Sequence, residues 1–584
     1  HWHLVGDAKG QYIRNAAIHD TYNRCVTVHG TNFLRVENNV TYNTVGHCFF
    51  MEDGIEHDNE FVRNLGIQTK CHTSKPCDPT NLAAFGSQKD GKNFKTAGQE
   101  SKDVLIPSDN TVSTFWVTNP DNIYVGNVAA GSDAIGFWLA FPQHPMGQFE
   151  GTQISKDTWP RRIKVREFKG NTAHSNCDGF MMDRGPQANG TFRTGGHLSV
   201  SNPADENSPQ VASVFEDLTS YKNRNGGLWA RGEMHVFKGL KMADNAMGYT
   251  HATSNFAHSA FTSRVVDSLF VGESDNIGNP ATATEKAYGR SLPYPEMPDF
   301  PIRGYEFYDY HHELDNNTFV NYQDNATRKT GAISYLMFTS FGMSTNNTIE
   351  RAKFTNAKPV YFPPVEHKWS NDDAGSGSYR TSVFHDKDGS VTGVANSTVL
   401  NTDAVNAVAI DETCQIKPTW NAAVCKGDYG RMTVGSGDGE FPSFLRRGPG
   451  GAAPPVGGAR VAADANAPAQ PPVVVSRNGK QLTITEETNV RAGTEIKVAT
   501  QRPSVILTVK ELDKGSWVMF ELPGFTAAAS GQAQSSLDAL RKADATSYYK
   551  GNGSLWVKLV SNGDFLGASA TSGPSGVARL EVSR

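Results

Sequence analysis

The first 440 residues are built from short apolar runs that end in a charged or imidazole side chain and then a glycine. Asn23-Arg24-Cys25-Val26-Thr27-Val28-His29-Gly30 is followed by His47-Cys48-Phe49-Phe50-Met51-Glu52-Asp53-Gly54, with Cys48 lying 23 residues beyond Cys25. Related runs are Gly136-Phe137-Trp138-Leu139-Ala140, Gly179-Phe180-Met181-Met182-Asp183-Arg184-Gly185, Gly227-Leu228-Trp229-Ala230-Arg231-Gly232 and Gly248-Tyr249-Thr250-His251. Polar, Asn-bearing stretches precede them, such as Ala173-His174-Ser175-Asn176 and Ala243-Asp244-Asn245. One short strand per unit, recurring at roughly 20 to 25 residues, is the signature of a solenoid. Helical periodicity is nearly absent, so the crossover helices of an α/β fold have no place to sit. The pattern predicts an all-β protein whose residues 1–440 form a parallel β-helix.

In such a helix successive coils stack about 4.8 Å apart, and equivalent positions form rows along the axis. Cys25 and Cys48 fall in register inside, where they are either bonded or stacked as buried thiols. From Arg447 to Pro472 the chain is Gly, Pro and Ala with almost no large apolar residue, which predicts a linker over 447–472. Alternation resumes in Val473-Val474-Val475, Gln481-Leu482-Thr483-Ile484-Thr485 and Ser554-Leu555-Trp556-Val557-Lys558-Leu559. Residues 473–584 therefore read as a small antiparallel, sandwich-like β domain.

Composition narrows the function. A net charge of −5 with a pI near 6.4 gives no basic footprint for nucleic acid. The 56 glycines suit a fold with many tight corners. No apolar run is long enough to span a membrane, and a monomer is expected. The first residue is His1, so the chain reads as a piece of something longer. Among the seven cysteines, Cys71 with Cys77 and Cys414 with Cys425 bracket short loops; neither pair has zinc spacing, so disulfides of an oxidising compartment are expected. Cys177 is the expected odd thiol.

The turn-proximal residues carry the candidate chemistry. His29, Glu52, Asp53, Asp183, Arg184 and Arg231 sit just before their turns, with His251 near the same level, and would line one flank as a polar row. Glycosidic hydrolysis needs one carboxylic acid to protonate the leaving oxygen and a second carboxylate as base or nucleophile. Glu52 or Asp53, paired with Asp183 and assisted by His29, is the expected catalytic set. Arg184, Arg231 and His251 would bind the carboxylates of a uronate polymer. Trp138 and Trp229 would offer flat faces to sugar rings, or else point inward. The bland alternative is that these charges pair with one another and with the turn backbone. Asp386-Lys387-Asp388-Gly389-Ser390 resembles the opening of a calcium loop without its closing Glu, and a plain Asp-Gly turn explains it equally. His1 and His3 share one strand face without an identifiable third metal ligand.

The runs HWHLVGD, RCVTVHG, GHCFFMEDG, STFWVTNP, NGGLWARGE, SLFVGES, FPIRG and TSVFHDKDGSV resemble, in the same order, those of the cell-migration-inducing and hyaluronan-binding protein family and its transmembrane cell-surface hyaluronidase. The resemblance covers residues 1 to about 430 and extends faintly into the last domain. It implies a right-handed β-helix, an extracellular location, the Cys71–Cys77 and Cys414–Cys425 bridges, and hyaluronan as ligand. The family's upstream G8 and lectin-like domains have no counterpart in these residues, so the fold carries over more firmly than depolymerase activity. The leading expectation is an endo-acting hydrolase of hyaluronan or a similar uronate polymer; a polysaccharide lyase and a non-catalytic glycan-binding module are the alternatives.

Overall fold

The computed structural model describes residues 2–71, 112–186, 192–193, 195–253, 259–277, 301–308, 311–326, 329–335, 343, 346–363, 383–402, 406–435, 471–484, 487–563, 568–569, 573–574 and 578–584. The chain winds into a parallel β-helix in which each coil lays short strands into three sheets. The first sheet holds, in spatial and chain order, β1 (Trp2–Asp7), β2 (Val26–Asn32), β3 (Phe49–Met51), β4 (Ser113–Val117), β5 (Ile135–Leu139), β6 (Asp178–Met182), β7 (Gly226–Glu233), β8 (Met247–Ala252), β9 (Ile302–Phe307) and β10 (Thr330–Tyr335). The second sheet is parallel from Tyr12–Arg14 to Phe384–Asp386 and closes with the antiparallel strands Ser397–Asn401, Ala422–Lys426 and Cys414–Lys417. The third runs from Ala17–Thr21 to Lys353–Ala357.

The expected solenoid is present, but with three strands per coil where the apolar text suggested one. Many of the extra strands are three residues long and bury a single side chain, as Tyr12–Arg14 buries only Ile13. One apolar residue flanked by polar ones leaves no periodic trace. The first sheet instead turns two residues per coil inward, and these fill the core. Phe49, Phe115 and Phe137 stack with ring centroids 4.7 and 4.6 Å apart. Burial of each such ring is worth about 1.5–3 kcal/mol.

The Asn-bearing stretches find their reason at the corners. Asn39, Asn64, Asn127 and Asn171 occupy successive coils and are buried. The Oδ1 of Asn64, Asn127 and Asn171 each accepts both the backbone N–H and the Nδ2 of the Asn one coil back, at 2.9–3.2 Å. Each Nδ2 also donates to a backbone carbonyl, Asn127 to Phe61 at 2.8 Å. Asn176, Asn223 and Asn245 form a second ladder of the same kind.

Cys25 and Cys48 are bonded to one another across adjacent coils, with Cα atoms 4.6 Å apart, which decides between the two readings of that pair. Cys414 and Cys425 are bonded across the closing antiparallel strands. Cys71 is disulfide-bonded; Cys77, its expected partner, lies outside the described residues. Cys177 is a free, buried thiol.

The C-terminal body comprises two mostly antiparallel sheets closing over one apolar core that includes Val475, Val498, Leu507, Phe520 and Leu559. Its extent differs from expectation. Tyr429–Gly435 pairs with Glu487–Arg491 and Ser504–Lys510, so a central strand of this body precedes the linker. The solenoid ends before Tyr429, not at 440. Buried Met432 and Val434 alternate on that strand as they would in either body, so the text does not say which one claims it. Residues 447–470 of the expected linker lie outside the described residues.

The ladder makes a prediction. Asn127→Ala strips donors or acceptors from Asn64, Asn171 and the Phe61 carbonyl, and each buried unpaired group costs about 1–3 kcal/mol. Urea unfolding is expected to show a loss of at least about 3 kcal/mol. A loss within the noise of the measurement would mean the ladder follows the fold and does not hold it.

Candidate functional site

The register of the first sheet decides which side chains share a row. Val28 pairs with Met51, Phe50 with Trp116, Val117 with Leu139, Leu139 with Met182 and Met182 with Ala230. Val28, Met51, Val117, Leu139, Met182 and Ala230 face the core, whereas Phe50 and Trp116, one residue earlier, belong to a separate apolar cluster. The next residue on each strand therefore points outward, which gives the row His29, Glu52, Thr118, Ala140, Asp183, Arg231 and Ala252. The expected row exists, but its charged members fall into two groups. Glu52 and Asp183 are separated by three coil steps, about 14 Å of backbone. Two carboxylates acting on one glycosidic bond stand no more than about 9.5 Å apart. The expected Glu52–Asp183 catalytic pair is therefore corrected by the insertion of Thr118 and Ala140 between them.

His251 is also corrected. It pairs with Ala230, one residue short of the Arg231 level, and a one-residue offset turns a side chain to the opposite face. It lies fully buried inside the solenoid and cannot touch a polymer. There it joins a file of imidazoles. His197 Nε2 donates to the Ile163 carbonyl at 2.7 Å, so its Nδ1 accepts from His235 Nε2 at 2.8 Å. His235 Nδ1 faces His251 Nε2 at 3.3 Å, and the Tyr249 hydroxyl donates to His251 Nδ1 at 2.7 Å. These are the roles the ring nitrogens take when all three rings are neutral. Burial pushes all three imidazoles down, His197 to about 4.

Asp183 is an anchor. Its side chain is almost wholly buried. Oδ2 accepts from Trp229 Nε1 and Arg231 Nε, each at 3.0 Å, and Oδ1 from the backbone N–H of Arg184 at 2.7 Å. Burial raises its pKa, but the charges of Arg231 and Arg184 and the hydrogen bonds from Trp229 and Arg231 outweigh that, leaving it below the usual carboxylate range. Such a group does not serve as a proton donor at neutral pH. Arg231 also donates to the Thr253 carbonyl at 3.1 Å, so its fork is engaged within the protein. Arg184 adopts left-handed backbone (φ 60°) beside Asp183 and is half-buried. Trp138 does not offer a sugar platform: it is fully buried among Phe50, Trp116 and Met181, and its Nε1 donates to the Asp183 carbonyl at 3.0 Å. Trp229 is half-buried against the same cluster and Tyr308. The bland reading of mutual pairing fits this end of the row.

The other end is different. His29 Nδ1 lies 2.7 Å from Glu52 Oε2 and 3.5 Å from Asp53 Oδ2. The side chain of Glu52 is 27% exposed, against 5% for Asp53. Burial pulls the His29 imidazole down, but Glu52 and Asp53, with hydrogen bonds to Glu52 and Gln148, raise it overall. Burial, and then the charges of Glu56 and Glu52, push the Asp53 carboxyl up to about 7 against the pull of His29. Glu56 is buried beneath them and accepts from the backbone N–H of Gly30 at 2.9 Å and of Gly54 at 2.8 Å. A loop at 146–149 covers the cluster: Met146 N–H donates to the Asp53 carbonyl at 2.9 Å, and Gln148 and Phe149 approach His29. Gly147 is required there, because it has φ +60° and a Cβ would fall 2.0 Å from Asp53 Oδ1.

Sequence reasoning missed Glu56, Gly147, Gln148 and Phe149. Glu56 could have been suspected from its nearness to Glu52 and Asp53; the loop belongs to an insertion outside the repeat and carries no signal. In the Asp386–Ser390 segment the carboxylates are spent on backbone N–H groups: Asp386 accepts from Gly389, Val391 and Thr392, and Asp388 from Ser390 and Arg351. That fits the turn reading of the calcium-like motif. The side chains of His1 and His3 lie outside the described residues.

The fold and this row define a parallel β-helix protein with an acid–imidazole cluster on one outward flank. Residues 1–181 match the family model described as CEMIP beta-helix. The chain is 33% identical over 462 residues to human cell surface hyaluronidase CEMIP2, covering 74% of this chain and 32% of that protein. It is 32% identical over 467 residues to the human cell migration-inducing and hyaluronan-binding protein, covering 74% and 33%. A Dictyostelium discoideum protein is 32% identical over 458 residues, covering 76% and 40%. The N-terminal coils are similar to the CEMIP beta-helix, in line with the resemblance. The chain spans only a third to two fifths of the length of these relatives. No helix among the described residues is long and apolar enough to cross a membrane.

Two predictions follow from the charges. Asp183→Asn leaves Arg231 without its buried counter-ion and is expected to cost about 3–5 kcal/mol in urea unfolding; an unaffected midpoint would return Asp183 to the list of functional carboxylates. For the imidazole file, unfolded rings take a proton near pH 6.5, whereas folded His197 resists until about 4. The stability is thus fully present above pH 6.5 and declines as pH falls towards 4, by roughly 1.4 kcal/mol per pH unit for each ring. His235→Gln is expected to flatten the stability–pH slope between pH 6 and 5 by about one proton's worth. An unchanged slope would mean that the file does not titrate on unfolding.

Proposed function

We propose that this chain is the polysaccharide-processing β-helix of an extracellular protein, cutting hyaluronan or a similar uronate polymer internally by hydrolysis. The reacting centre in this reading is Glu52 and Asp53 with His29. One observation carries it: two carboxylates and an imidazole each present an atom within 4.8 Å of the others at the solvent-reached end of an outward row. Buried Asp53 would protonate the leaving glycosidic oxygen, and the more open Glu52, oriented by His29, would act on the opposite side of the sugar. So short a carboxylate spacing favours the double-displacement, retaining geometry over the wider inverting one. The names of the relatives, cell surface hyaluronidase and hyaluronan-binding protein, supply the substrate class. The Cys25–Cys48 and Cys414–Cys425 bridges suit the extracellular compartment. The Asp183–Arg231 group, three coils further on, would stiffen the floor over which an extended polymer lies and take no part in bond cleavage.

The test is size-exclusion analysis of hyaluronan, chondroitin and a pectin-like polymer after incubation with the chain. A fall in polymer size with new reducing ends and no ultraviolet absorbance of unsaturated uronates is expected. Glu52→Gln and Asp53→Asn, checked for folding, should each lower the rate at least about 100-fold. Unsaturated products would replace hydrolysis by elimination; polymer retained on a column at undiminished size would make the chain a binding module. Full activity in either variant removes the site.

A further inference from the structure

We propose that His29, Glu52 and Asp53 form a binding site for one divalent transition-metal ion of the zinc class. A single ligand atom from each lies within 4.8 Å of the others. In a tetrahedral site with metal–ligand bonds of about 2.0–2.2 Å, neighbouring ligand atoms stand roughly 3.3–3.5 Å apart. His29 Nδ1 and Asp53 Oδ2 are already at 3.5 Å, and Glu52 Oε2, at 2.7 Å from Nδ1, needs to withdraw by well under one ångström.

A second observation is independent of that convergence. Asp53 is 4% exposed, and its Oδ2, on the side facing His29, is buried and accepts no hydrogen bond. A buried carboxylate oxygen without a donor is costly, and Asp183 and Glu56 are differently served. Asp183 takes N–H donors on both oxygens, and Glu56 takes backbone N–H groups. A cation at the focus of the three side chains would supply what Asp53 lacks. The surroundings suit one. Gln148 hydrogen-bonds the imidazole, the kind of support that orients a ligating histidine. Gly147 lets the covering loop close against Asp53 without a side chain in the way. Glu52, the most exposed of the three, faces the side from which water or a glycan oxygen would complete the coordination.

The imidazole sets the metal class: calcium and magnesium prefer all-oxygen sites, whereas a nitrogen donor with two carboxylates suits zinc. The His57, Asp58 and Asp121 group is a poorer candidate, because Arg166 already pairs with both of its aspartates. The site shares its residues with the hydrolase reading, and an ion held by both carboxylates would take the proton and lone pairs that reading uses, so the metal-bound and proton-transferring states of the cluster exclude one another at any instant. Its measurement needs no polysaccharide, so the two fail separately: zinc binding without polymer cleavage defeats only the proposed function, and cleavage without zinc binding defeats only this site.

Calorimetric titration of the whole chain with zinc chloride tests it. One zinc per chain is expected, with affinity lowered roughly tenfold or more in Glu52→Gln and in His29→Gln and unchanged in Asp121→Asn. Calcium chloride should give no saturable heat. X-ray absorption of the zinc-loaded wild-type chain, which does not depend on the variants folding, should report one imidazole with oxygen ligands. Absence of saturable zinc binding, equal binding in wild type and both site variants, equal binding of calcium, or two or more imidazoles on the zinc would each overturn the proposal.

Discussion

The structure depends on one constraint: every coil must lie on the last in fixed register. Backbone hydrogen bonding alone sets the spacing at about 4.8 Å but does not forbid a slip of one residue, which would turn each inward side chain outward. The buried asparagine ladders supply the missing specificity. Each Asn amide binds the backbone and amide of its neighbour one coil away and a backbone carbonyl besides, so a slipped coil would strand several buried polar groups at once. The Cys25–Cys48 bond fixes the first coils covalently at the same spacing. With register fixed, the phenylalanine stack inside and the charged row outside follow from the alternation of side chains along each strand.

That determinism has a cost for inference from text. A position two or three coils away is unambiguous once strands are paired, yet the coil count between two motifs cannot be read from sequence when insertions intervene. Met51 and Val117 are one coil apart in space but far apart in the chain. The runs ending in Glu52 and Asp183 look like near neighbours in a list of motifs, while two further coils, ending in Thr118 and Ala140, stand between them. Neither of these has a charge to announce it.

What was legible was whatever repeats. The solenoid, the alternation after the linker, the Cys25–Cys48 register and the outward row all left periodic or paired traces. Many of the second and third strands did not, since one buried residue in three makes no pattern. His251 was misplaced for a related reason: a glycine-headed run shows where a strand is, not which of its residues faces in. The strand at 429–435 was misassigned because alternating apolar residues suit the C-terminal body as well as the solenoid. The covering loop at 146–149 was invisible, being outside the repeat and composed of residues that acquire meaning only from contact with Asp53 and His29.

The two charged groups on the row also show how satisfaction separates structure from chemistry. Asp183 has spent its lone pairs on Trp229, Arg231 and the Arg184 N–H, and Arg231 has spent donors on Asp183 and Thr253. Any approach of a substrate to that pair must break bonds the fold relies on, so its reactivity is low even though its charges are as dense as those at the other end. Around Asp53 the balance is reversed. Burial without a donor on Oδ2, a like-charged Glu56 below and an exposed Glu52 beside it leave a group whose needs the protein itself does not meet. A proton, a cation or a polymer group can meet them, and all three must enter from the same open side. The same row that braces the solenoid at Asp183 carries at Asp53 a buried oxygen without a hydrogen-bond donor, and the proposed binding there rests on that difference.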